Sequence, residues 1–157
     1  YERKIVLHKY GDVMVREIYE YELNDLLNLY THLHEDSVPE MTEDLRKTWH
    51  SIVNDKNHHI IVKEIEGKIV SSCVCIVIPN LTRNVRPYAF VENVVTHNAY
   101  RGKGYATECL HYSKEIAEKS GCYKMMLLTG AKDESTLNLY HKAGYNSLDK
   151  TAFIQWL

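Results

Sequence analysis

No stretch of this 157-residue chain approaches the roughly 18 consecutive apolar residues of a membrane-spanning helix, so no membrane span is expected. A basic excess is also missing. Nineteen Lys and Arg stand against 21 Asp and Glu, a formal charge of −2, which speaks against nucleic acid as a partner. The first residues, YERKIVLHKYGD, lack the apolar centre and small-residue cleavage site of a secretion signal. Cysteine is sparse and shows neither a CxxC nor a CxxH spacing. Cys73, Cys75, Cys109 and Cys122 therefore read as reduced thiols of a cytoplasmic protein, and Cys73 and Cys75, two apart in an apolar run, should face one side of a strand. Repeats and low-complexity tracts are absent. What is present suits a single domain spanning residues 1–157, with enough apolar content for one core.

Periodicity divides the chain further. Alternation in VMVREIY predicts a strand over Val13–Tyr19. Leu23, Leu26, Leu27 and Tyr30 predict a helix over Glu22–Leu33, and Thr42 caps a second helix carrying Leu45, Trp49, Ile52 and Val53. Gly67 divides two β-branched runs, His59–Glu66 and Lys68–Pro79, into a hairpin. NLTRNVRP is a loop, and Tyr88–Thr96 is a further strand. Ala106, Cys109, Leu110, Ser113, Ile116 and Ala117 trace the buried stripe of a helix that Gly121 ends. KMMLLT reads as a strand, STLNLYHKA as a short helix and TAFIQWL as a last strand. Strands and helices in this order make an α/β protein, a mixed sheet with helices on its faces.

One doorway stands out: Arg101-Gly102-Lys103-Gly104 leads directly into the long helix. The first amides of a helix have no partner within it and attract anions, phosphates above all. Glycine lets backbone approach such an anion closely, and Arg101 and Lys103 add positive charge. YRGKGYA thus reads as a pyrophosphate cradle made of Arg101, Gly102, Lys103, Gly104, Tyr105 and Ala106. A Walker A loop needs G-x-x-x-x-G-K-[ST], which is absent. A dinucleotide fingerprint needs a third glycine where Thr107 stands.

Arg101-x-x-Gly104-x-Ala106 matches the [QR]-x-x-G-x-[GA] signature of the GNAT acetyltransferases, and ENVVTHNAYRGKGYATECL and LYHKAGY resemble that family over Val91–Tyr145. The resemblance implies a mixed, mostly antiparallel sheet of six to seven strands with about four helices. It implies acetyl-coenzyme A as cosubstrate, and transfer of its acetyl group to a primary amine by direct attack. Dimers are common in the family, so a homodimer is among the expected assemblies. Backbone of Val94 and Val95 would meet the pantetheine arm. Many members place an asparagine at the position of Asp133 to contact the same arm; aspartate can accept there but cannot donate.

Such a transfer needs a proton acceptor for the amine and a donor for the leaving sulfur. Glu92, in a strand with apolar neighbours, is the expected base, its carboxyl raised by burial. Tyr140, whose phenol is protonated at neutral pH, is the expected acid. For the acceptor, an acidic connection containing Glu35 would attract cationic amines, whereas Arg83 and Arg86 in the other loop could hold a phosphate or carboxylate. RGKGYATECL, GCYKMMLL and LYHKAGY are similar to glucosamine-6-phosphate acetyltransferases. Asn93, however, stands where those show a second acid. Three acceptors stay open: a small-molecule amine, an amino-sugar phosphate and a protein amine. A module that binds coenzyme A without catalysis is the other alternative. No metal is expected; His32, His34, His58 and His59 follow no zinc spacing.

Overall fold

The computed structural model describes residues 13–33 and 36–157. Its elements run β1 (Val13–Glu17), α1 (Leu23–Tyr30), α2 (Glu43–Asn54), β2 (His58–Ile65), β3 (Lys68–Ile78), α3 (Thr82–Val85), β4 (Tyr88–Thr96), α4 (Tyr105–Lys119), β5 (Met125–Leu127) and α5 (Glu134–Lys142). The strands form one sheet in the order β1-β2-β3-β4-β5. Neighbours are antiparallel up to β4, and β5 lies parallel to β4. A parallel neighbour needs a long crossover, which α4 provides.

Period-two alternation sorts the side chains to the two faces. Ile60, Val62 and Val74 join Leu26, Leu29 and Trp49 beneath α1 and α2. Ile61, Cys73, Cys75, Ala89 and Val91 meet Cys109, Leu110 and Ala117 of α4 on the other face. Cys73 and Cys75 thus share one side, as their spacing requires. Thr42 caps α2, its hydroxyl accepting from the Leu45 amide at 3.2 Å.

Two expectations change. Among the described residues the sheet has five strands, not six to seven, and TAFIQWL forms none. Phe153, Trp156 and Leu157 lie exposed. A strand requires a neighbour for its backbone groups, and among the described residues none pairs with this segment. The run starting at Val13 stops at Glu17, because residues Glu20–Glu22 turn in a short 3₁₀ helix ahead of α1.

That 3₁₀ turn is held by a buried charge cluster. Arg16, 5% exposed, donates to Glu22 Oε1 and to Glu64 Oε2, each at 2.6 Å. Glu22 Oε2 also accepts from the Tyr19 amide at 2.7 Å. Burial pushes the Glu22 carboxyl up, but hydrogen bonds from Arg16 and Tyr19 and the charge of Arg16 outweigh it, leaving it below its ordinary value. Removing one partner of such a cluster strands buried charge. Arg16→Met is expected to cost about 3–5 kcal/mol, read by urea unfolding at neutral pH. Because the Glu22 carboxyl is depressed in the folded state, its stabilisation is present above the unfolded value of about 4.3. It is lost as pH falls through the lower folded value. The variant's deficit should therefore shrink in acid.

Candidate active site

The glycine turn keeps the geometry its sequence asks for. Gly102 and Gly104 have φ of 76° and 84°, left-handed values that glycine adopts without penalty. Gly104 is the N-cap of α4 and offers no side-chain cap, so the first amides of the helix stay available. A Cβ at either glycine would meet no atom within 4 Å; the space before the amides is open. Lys103 is exposed at the mouth, its Nζ 5.4 Å from the Tyr100 ring centre.

Arg101 braces the turn. Its Nε donates to the Thr96 carbonyl and its Nη2 to the His32 carbonyl, both at 3.2 Å. The far side of the doorway is fixed by Lys63, 3% exposed, whose ammonium pairs with Glu108 and lies 5.3 Å from the Tyr105 ring centre. Lys63 was not legible as a site residue, because a lysine in an alternating strand reads as solvent-facing.

The strand leading to this turn carries a bulge. Ser72 pairs with Val95 and Val74 with Glu92, so Asn93 and Val94 stand together opposite Cys73. Asn93 takes φ 51°, and the side-chain alternation shifts: Val91 and Val94 both pack on the α4 face, while Val95 joins the α1 face. At the same level β4 and β5 part company. Their pairing covers Ala89–Val91 against Met125–Leu127 and stops there. Beyond Val91 no strand among the described residues lies beside this β4 edge, and the open edge leads to the amides of α4.

Glu92 and Tyr140 flank the parting on opposite faces. Glu92 lines a hollow under α1 and α2. Its side chain is exposed, which corrects the expectation of burial: Val91 before it packs on the α4 face, so alternation turns Glu92 to the other face, where the helices leave the hollow. Tyr140 sits half-buried on α5 against the α4-side core, its ring 6.3 Å from that of Tyr145 and nearly perpendicular. Burial pushes its phenol up; a hydrogen bond with Thr129 pulls the other way, and nearby Cys73 and Glu92 raise it further. The net rise keeps the hydroxyl protonated, the form a proton donor needs.

The remaining expected residues find other surroundings. Asp133 caps α5, its carboxylate accepting from the Thr136 amide at 2.8 Å, and that bond holds it below the usual carboxylate range. Arg86 is spent on structure: it donates to the carbonyls of Gly121 at 3.1 Å and Cys122 at 3.0 Å, beyond the C-terminus of α4. Arg83 lies over the Tyr123 ring at 5.8 Å. The 15 residues of α4, about 22 Å at helical rise, separate this region from the glycine turn. Glu35 and His34 lie outside the described residues. His58 lines the hollow while His59 pairs with Glu17 at 3.1 Å. Among the described residues no three His, Cys, Asp or Glu gather as metal ligands.

The thiols are buried or half-buried and free. Burial pushes Cys75 up to about 12, and a hydrogen bond with Cys73 plus burial pushes Cys109 up too. Neither offers a thiolate at neutral pH.

Comparison with known proteins bears on the family and the fold. The family model described as acetyltransferase (GNAT) family matches residues 22–145. A glucosamine 6-phosphate N-acetyltransferase of Trypanosoma brucei brucei is 27% identical over 144 residues, covering 88% of this chain and 92% of the relative. A solved structure from Agrobacterium tumefaciens, assigned as an acetyltransferase, is 36% identical with a TM-score of 0.83, covering 91% of this chain and 99% of its own. A Trypanosoma brucei acetyltransferase structure gives 26% identity and a TM-score of 0.78, covering 92% and 100%.

Proposed function

The chain belongs to the acetyltransferase (GNAT) family, and from that premise we propose that it moves the acetyl group of acetyl-coenzyme A to a primary amine by direct attack. The observation that carries this reading is the parting of β4 from β5 after Val91, with Glu92 on one face, Tyr140 on the other and open helix amides at its end. Coenzyme A fits these residues. Amides of Tyr105 and Ala106 and the Gly102–Gly104 turn would hold its diphosphate, with Lys103 adding charge. The bare β4 edge at Val94 and Val95 would receive its amide-bearing arm as an added strand. Asp133, already used as a cap, would contribute an acceptor at most.

The cosubstrate supplies an activated acetyl thioester. The chain supplies proton handling and orientation. Glu92 takes a proton from the incoming nitrogen, directly or through one water, as the N–C bond forms. Tyr140 gives its hydroxyl proton to the sulfur as the C–S bond breaks, and solvent restores it. A backbone amide at the Asn93 bulge donates to the carbonyl oxygen as that oxygen gains charge.

Glu92→Gln is expected to lower kcat/KM about 100-fold while coenzyme A affinity holds. The deficit should persist as pH rises, since an amine that is already neutral still gives up a proton as its N–C bond forms. Free-thiol release followed across pH checks both points. An unchanged rate would remove Glu92 from the chemistry.

A second reading, acetylation of an amino-sugar phosphate, draws on the 27% identity to the trypanosomal enzyme. It requires a phosphate-holding cation beside the acceptor, and Arg86 is engaged with backbone carbonyls instead.

A further inference from the structure

The hollow that Glu92 lines has a volume of about 460 Å³, inside the range of roughly 300–1,000 Å³ found for small-molecule sites. It lies between α1, α2 and the face formed by β2, β3 and β4. Its body is apolar: Leu26, Trp49, Ile60 and Val74 are buried, and Leu27 and Ile52 are half-buried around them. Polar groups concentrate at the β4 wall. There Glu92 stands next to Asn93, and the phenol of Tyr30 lines the same hollow. Burial pushes that phenol up to about 12, so Tyr30 stays a neutral donor.

Charge in the hollow has one sign. Among the described residues that line it, none is Lys or Arg. His58 is the only basic side chain there, and burial holds its imidazole below the ordinary value, so it adds little positive charge at neutral pH. Arg46 belongs to the adjoining groove past Trp49, where Glu20 accompanies it. A sugar phosphate in the hollow would trade water for alkyl side chains and face Glu92, with no cation in compensation. An ammonium group at Glu92 has the opposite balance, and a carbon body behind it gains from leaving water.

We propose that the acceptor is a primary amine carried on an aromatic or branched-aliphatic body, seated beneath α1 and α2 with its nitrogen at Glu92. This rests on the transferase reading above and names its substrate class. The apolar wall sets which amine enters, and the Glu92–Asn93 wall sets which end faces the thioester.

Two measurements test it separately from the transferase reading. The first compares free-thiol release from acetyl-coenzyme A with 2-phenylethylamine, isoamylamine and glucosamine 6-phosphate. A kcat/KM at least about tenfold higher for the apolar amines is expected, from burial of a body of that size. Faster turnover of glucosamine 6-phosphate would overturn the substrate class and leave the transferase reading standing. The second is calorimetric binding of 2-phenylethylamine to protein saturated with coenzyme A. Binding is expected in the wild type and weakened several-fold in Leu27→Ala, with coenzyme A affinity equal in both. If no amine is turned over yet 2-phenylethylamine binds in this way, the hollow's specificity stands and the transferase reading falls. Absence of that binding, or equal binding by Leu27→Ala, overturns the inference.

Discussion

Replacing Tyr140 with phenylalanine should cut turnover by about 10²–10⁴-fold, the usual contribution of a positioned proton donor, and leave coenzyme A binding close to wild type. The ring stays, so its perpendicular contact with Tyr145 and its place against the α4-side core survive. Only the hydroxyl and its bond with Thr129 are lost. The loss should therefore fall on kcat rather than on KM for the cosubstrate. Because burial holds the phenol above its ordinary value, it stays in the acid form until the medium is more alkaline than about pH 10. The wild-type rate should accordingly show no decline from this group below that point. Calorimetry with coenzyme A and steady-state thiol release decide the matter. A large drop in affinity with little change in kcat would make Tyr140 a binding or packing residue.

Gly104→Val should abolish most coenzyme A binding by a different route. The chain leaves room for the new Cβ, with no atom within 4 Å, so steric conflict inside the protein is not the cause. The backbone is: φ at this position is 84°, and a β-branched residue there costs about 1–3 kcal/mol. The turn would relax to negative φ and aim the first amides of α4 elsewhere. The isopropyl group would also occupy the space in front of them. Together these should weaken coenzyme A at least about 10–100-fold. Gly121→Val is the control. It too replaces a left-handed glycine, φ 73°, but at the other end of α4. It should lose comparable stability and keep cosubstrate affinity. Equal loss of binding in both variants would mean that general weakening of α4, and not the cradle, is responsible.

The glycine turn and α4 were readable in the sequence because their signals are local. Two left-handed glycines, an uncapped helix start and a stripe of small apolar residues all lie within about one helix length, and the structure keeps each. The ends of the sheet were not readable in the same way. TAFIQWL is rich in residues that suit a strand, but composition says nothing about a pairing neighbour. Glu92 shows a subtler limit. Its flanking valines suggested burial, yet alternation from Val91 turns it to the face under α1 and α2, where the helices leave a hollow. Nothing in VENVV marks the extra residue that follows at Asn93 and Val94. Arg86 illustrates the loop case: Arg83, Asn84 and Val85 all take left-handed φ, and the turn they make carries Arg86 to the carbonyls after α4. For Asp133 the signal was available, since aspartate ahead of Glu134-Ser-Thr is a good helix cap.

The protonated state of the interior sulfur atoms bears on how the catalytic cycle is organised. With Cys75 and Cys109 held as thiols, neither sulfur offers a thiolate on which an acyl group could be stored between substrates. On the proposed reading, donor and acceptor must occupy their sites at the same moment. The protein then keeps no memory of the donor once it has departed, and each round begins from an unmodified chain.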